Sequence, residues 1–143
     1  VLERLGVRQL FWQVAQKPGK PMAFSLAGEK PIFGVPGNPV SAMVTFTLFV
    51  RPAIRRLSGM AQPVPPPPLV RLAEPVERHP TLDLFLRAVR RGEATDGVVT
   101  VRATGPVGSA LMTSMRDAEV LVWVAAGPGG LPAGTILPAV TFP

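Results

Sequence analysis

In the run Lys17-Pro18-Gly19-Lys20-Pro21 two lysines each sit directly before a proline. Prolines stiffen such a loop, so little entropy is lost when it binds something. Ammonium groups act as point charges for phosphate-like oxyanions. Fifteen residues after Pro21, the run Pro36-Gly37-Asn38-Pro39-Val40-Ser41 turns the chain into an apolar helix. The first amides of a helix have no internal partners, and Ser41 adds a hydroxyl in that first turn. A loop with two cations beside such a turn would hold an oxyanion. Each half also has a plainer reading: a solvated turn for the lysines, and helix capping for Asn38 and Ser41.

Other chemistries lack raw material. The chain has no cysteine, which removes disulfides, thiolate metal sites and thiol nucleophiles. His79 is the only histidine, too few for a zinc site; beside Pro80 it reads as an exposed loop residue without a role. Arg87, in the apolar run Leu84-Phe85-Leu86-Arg87-Ala88, carries a fork suited to bidentate oxyanion binding, although an arginine in a short strand is more often at the surface. Ser109 follows Gly105-Pro106-Val107-Gly108 and reads as an ordinary turn. Asp83 is a single carboxylate and makes no metal site alone. Trp12 and Trp123, both in apolar runs, are expected in the core.

The charge is uneven. Residues 1–59 hold eight Lys or Arg against two acids, and the remainder holds seven against seven, so the whole surplus of +6 lies in the first part. That points to an anionic partner there. The basic residues are not interleaved with exposed aromatics and match no nucleic-acid motif, so nucleic acid is not the expected partner. No run of ~18 apolar residues marks a membrane span, and the start lacks the features of a secretory signal. Cytoplasmic placement is expected.

The positioning elements follow from periodicity. Residues 1–6 read as the tail of a helix stopped by Gly6, and the absence of an initial Met suggests an internal fragment. Residues 8–15 have the content of a buried strand, and 21–27 with 31–35 read as two short strands around a Gly28 turn. From Pro39 to Leu57, Val40, Met43, Val44, Leu48, Ile54 and Leu57 approximate a 3.6-residue repeat. Asn38 suits the N-cap, Pro39 the first position and Gly59 the stop, while Pro52 should kink the helix by removing the amide that would bond the Leu48 carbonyl. The proline run 62–68 cannot form helix or central strand. Five β-like runs follow, at 69–76, 84–91, 98–103, 120–126 and 135–142, with a possible helical turn at 109–115. They predict a small barrel or sandwich. The expected organisation is an α/β half-domain over 1–60, a linker at 61–68 and a small β-barrel-like domain over 69–143.

Three segments together carry a resemblance: 14–21 with the lysine loop, 33–46 with Pro36-Gly37-Asn38-Pro39-Val40-Ser41, and 49–59 with Arg51-Pro52-Ala53-Ile54-Arg55-Arg56. The chain resembles the C-terminal portion of the molybdopterin molybdenumtransferases, the MoeA and gephyrin E-domain family, with weaker extension through 83–87 and 105–109. The resemblance implies the C-terminal part of a molybdopterin-binding α/β fold followed by a small barrel. It implies insertion of molybdate into adenylylated molybdopterin with release of AMP, a divalent metal, usually Mg, and a homodimer at full length. On the family pattern Lys17, Lys20, Pro21, Ser41 and Arg87 match molybdate-binding positions, with Lys17, Lys20 and Arg87 as the catalytic cations. Pro36, Pro39 and Ser109 match residues lining the same cleft, and Gly37 and Asn38 complete its turn. The family's Gly-rich pterin motif and acidic Mg ligands are expected upstream of Val1, with no metal ligand within this chain, so the piece alone is expected to be inactive. The other function the family implies is a non-catalytic scaffold of the gephyrin E-domain type.

Overall fold

A computed structural model describes residues 6–105 and 113–142; the helix tail expected at the start falls outside them. An α/β part leads into a closed five-stranded β-barrel. Strands β1 (Val7–Trp12), β3 (Ala23–Ala27) and β4 (Lys30–Gly34) form an antiparallel sheet in the order β1-β3-β4, with the two-residue β2 (Gln16–Lys17) between β1 and β3 in sequence. The pair predicted around Gly28 is therefore present as β3 and β4. The strand predicted at 8–15 is present as β1, but not as a buried one. Only Val7 is buried, and Leu10, Phe11 and Trp12 are exposed on this edge strand. Continuous apolar content fits a strand covered on both faces, and beyond Val7 the described residues leave this one exposed.

One continuous helical segment follows: α1 (Pro39–Thr45), a π-helical stretch (Phe46–Val50) and α2 (Arg51–Leu57). The Asn38 side chain accepts from the Ser41 amide at 3.2 Å, the predicted cap. Pro52 is accommodated by the π stretch directly before it, in which the Arg51 amide reaches back five residues to the Phe46 carbonyl. The widened turn has a second effect. An added residue rotates the following face by about 100°, so Val40 and Val44 are buried while Ile54 and Leu57, predicted on the same stripe, are exposed. Gly59, at φ +82°, ends the segment with the Met60 amide bonded to the Arg55 carbonyl at 3.0 Å. The proline run after it forms neither helix nor strand.

All five predicted barrel strands are present: β5 (Leu69–Leu72), β7 (Asp83–Thr95), β8 (Val98–Ala103), β9 (Val120–Val124) and β11 (Ile136–Thr141). Strand β6 (Val76–Glu77) pairs with β10 (Gly130–Leu131) as a separate ribbon, and α3 (Thr113–Arg116) precedes β9. The ring runs β7-β8-β5-β11-β9 and closes because β7 is 13 residues long. Its start pairs with β9 and its later part with β8. Closure leaves no barrel edge to pair wrongly. Successive strand residues point to opposite faces. Leu84, Leu86 and Ala88 thus join Val101, Val122 and Val124 in the barrel core, while Phe85 packs with Leu121, Val140 and Phe142 against Val40 and Val44 of α1. The helix and the barrel share this second apolar cluster.

Candidate functional site

Strand β2 is the hinge of the site. It pairs in parallel with the start of β7, Gln16 opposite Asp83 and Lys17 opposite Leu84, and the Asp83 amide donates to the Ala15 carbonyl at 2.9 Å. The lysine loop is therefore fastened to the barrel. Its far end is fastened to β1's continuation, because the Val14 amide donates to the Lys20 carbonyl at 3.0 Å and the Gln13 amide to the Met22 carbonyl at 2.8 Å. Within the loop, buried Gln16 donates from Nε2 to the Pro18 carbonyl at 3.0 Å, and the Lys17–Pro18 bond is cis.

Gly19 joins this loop to the helix. A Cβ on Gly19 would stand 2.5 Å from Thr45 Cγ2, 2.7 Å from Gln16 Nε2 and 3.7 Å from the Ser41 carbonyl oxygen. Its φ of +102° also disfavours any side chain. Thr45 is fully buried, with its hydroxyl donating within the helix to the carbonyls of Ser41 and Ala42, so it offers the loop a methyl surface. The lysine loop and the first turn of α1 are thus in contact through Gly19, with Lys17 and Lys20 exposed on either side.

Of the turn residues, Pro36 is buried, Gly37, Asn38 and Pro39 are exposed, and Ser41 is half-buried. The turn is only in part an amide cradle. Pro39 has no N–H, the Ser41 amide goes to the Asn38 side chain, and the Ala42 amide goes to the Asn38 carbonyl at 2.8 Å. Capping therefore takes most of the donors that the sequence suggested for an anion, leaving the Ser41 hydroxyl and the Val40 amide at this turn. Pro21 is exposed at the loop's end. Ser109 lies outside the described residues.

Arg87 is only 5% exposed, which corrects the reading of an ordinary surface arginine. It lies three residues beyond Lys17's partner Leu84, about 10 Å along β7. The alternation that sends Leu86 and Ala88 into the barrel puts Arg87 on the same outer face as Phe85, the face that packs against α1. The Arg87 carbonyl accepts from the Thr104 amide at 2.9 Å and from its hydroxyl at 3.2 Å, fixing the strand there. Burial lowers the Arg87 pKa from its ordinary value, yet a guanidinium stays protonated in proteins. A full, partly desolvated charge stands on this side of the barrel.

Two other expectations change, and Asp83, which makes no metal site alone, has structural partners. Asp83 is committed, accepting from Trp123 Nε1 and from the Ala126 amide, both at 2.8 Å. His79 has a structural part: its Nδ1 accepts from the amides of Thr81 and Leu82 at 3.2 and 3.1 Å. Trp12 and Trp123 are 56% and 43% exposed rather than core. Sequence reasoning missed Gln16, Gly19 and Thr45, although a glycine between two Lys-Pro units and a threonine four residues after Ser41 were visible signals.

Residues 70–142 match the MoeA C-terminal region (domain IV), and residues 1–56 match the probable molybdopterin binding domain. The chain belongs to the MoeA/gephyrin E-domain family. It is similar to the molybdopterin molybdenumtransferase of Haemophilus influenzae, 49% identical over 67 residues that make up 47% of this chain and 16% of that protein. It is 29% identical to the gephyrin of Dictyostelium discoideum over 98% of this chain and 22% of that one. Its fold matches the molybdopterin biosynthesis MoeA protein from Pyrococcus horikosii with a TM-score of 0.77 and 27% identity, covering 99% of this chain and 34% of the other. The chain therefore spans only a minor part of the length of these relatives.

Proposed function

We propose that this chain supplies the molybdate-holding part of a molybdopterin molybdenumtransferase, which inserts molybdate into adenylylated molybdopterin and releases AMP. The observation that carries the reading is the contact of Gly19 with Thr45 and the Ser41 carbonyl, with β2 paired to β7. It puts the two-lysine loop, the first turn of α1 and the strand of Arg87 into one packed assembly. In this reading Lys17, Lys20 and Arg87 neutralise the dianion, and the Ser41 hydroxyl orients an oxygen. Pro21, Pro36, Gly37, Asn38 and Pro39 shape the wall, with Ser109 assigned to the same cleft. Fixed cations placed before the substrate arrives favour charge that develops during transfer.

Among the described residues no group of three or more His, Asp or Glu side chains could hold a metal ion. In the same proposal Mg is held by ligands outside these residues, and no step assigned to them runs through it. Among them also, no helix is long and apolar enough to cross a membrane. Cytoplasmic placement, homodimerisation and adenylylated molybdopterin as partner belong to the same proposal; sedimentation of the full-length protein tests the dimer.

The test is molybdenum transfer by the full-length protein carrying Lys17→Ala or Arg87→Ala, alongside equilibrium binding of molybdate. A fall of tenfold or more is expected for Arg87→Ala and a fall of about two- to fivefold for Lys17→Ala. Undiminished transfer in both would sink the assignment.

A further inference from the structure

A second cleft, of about 280 Å³, lies between α2, the proline run and the barrel strands β9 and β11. None of the residues assigned to molybdate lines it. One wall is Pro63 to Pro68, a rigid surface without N–H donors except at Val64, held down by the Ala139 amide donating to the Pro68 carbonyl at 2.9 Å. The opposite wall is Leu48, Arg51 and Arg55 of the helical segment, and Trp123 closes one side. The indole is fixed in place, bonded through Nε1 to Asp83 and nearly parallel to Phe85, with 10° between the rings. An apolar body would meet preformed surface that loses little rotamer freedom.

The charge in the cleft is unbalanced. Arg51 and Arg55 are one helical turn apart, and neither pairs with a carboxylate among the described residues. Arg51 Nη2 donates to the Thr141 carbonyl at 2.9 Å, while its Nε is buried without a partner. Both guanidinium groups line the cleft. Burial first, and then the Arg55 charge, lower the Arg51 pKa. An anion beside both guanidinium groups offsets the like-charge repulsion between them.

We propose that this cleft binds a small organic anion with a flat apolar body, its acid group at Arg51 and Arg55 and its body between Trp123 and the proline wall. The volume sits at the lower edge of small-ligand sites, roughly 300–1,000 Å³, so a compact aromatic acid is the fitting class. The proposal is independent of the molybdate reading, because the two use different cations.

Calorimetric titration with naphthalene-2-sulfonate tests it, with the neutral naphthalene-2-sulfonamide as isostere and the Trp123 indole N–H resonance as local reporter. Saturable binding that shifts this resonance is expected, weakened tenfold or more in the sulfonamide and in Arg55→Gln, and not displaced by molybdate. Arg51→Gln should weaken it similarly. Because Arg51 also holds Thr141, Arg55→Gln decides if that variant fails to fold. No saturable binding at millimolar ligand, equal affinity for the sulfonamide, or undiminished affinity in Arg55→Gln overturns the proposal. Loss of molybdate binding in Lys17→Ala would not affect it.

Discussion

At the scale of single residues, the molybdate reading rests on cations of different kinds. Lys17 and Lys20 are exposed and screened, so each replacement by Ala should weaken molybdate about two- to fivefold. Arg87 is desolvated, and Arg87→Ala should weaken it about a hundredfold, in line with charge-assisted hydrogen bonds of ~1.5–3 kcal/mol. Equilibrium dialysis against molybdate checks the order: equal small losses would mean that burial contributes nothing. Gly19→Ala forces a Cβ into Thr45 and Gln16 at an unfavourable φ, and should destabilise the chain by about 1–3 kcal/mol in denaturant titration. The lysines and Ser41 were legible because their chemistry is carried by type and spacing. Arg87's burial was not, since it depends on which strand face the helix covers. Gln16 and Thr45 escaped notice because they support the loop through contacts that only the tertiary packing creates.

At the scale of elements, the strand pattern was readable because hydrophobic alternation and Gly or Asp turns mark short barrel strands; the β7–β8 connection at Asp96 and Gly97, both with positive φ, is an example. The helix was readable at both ends, from Asn38 and Gly59. Its face was not, because the π stretch before Pro52 rotates α2 away from the stripe that a 3.6-residue period predicts. Strand β2 could not be foreseen: two residues carry no periodicity, and their partner is some 67 positions away in parallel register. Asn38→Ala removes the cap on Ser41 and should cost about 1 kcal/mol in unfolding free energy. The same substitution frees the Ser41 amide, so thermal and chemical denaturation should register the change more strongly than molybdate affinity does.

At the scale of the whole molecule, the positive surplus of the first part is joined to the near-neutral barrel by β2 and by the cluster around Val40, Val44, Leu121 and Phe142. The proposed site lies where the two meet, so neither half read alone accounts for it. Attraction between this surplus and a dianion is partly screened by salt, so molybdate affinity should fall several-fold between about 50 and 300 mM NaCl; a salt-independent affinity would remove the electrostatic role. The most direct measurement is anomalous diffraction at the molybdenum edge from a molybdate-soaked crystal. The account predicts a molybdenum peak enclosed by Lys17, Lys20, Ser41 and Arg87. A fully occupied peak elsewhere, with those four side chains empty, would contradict it.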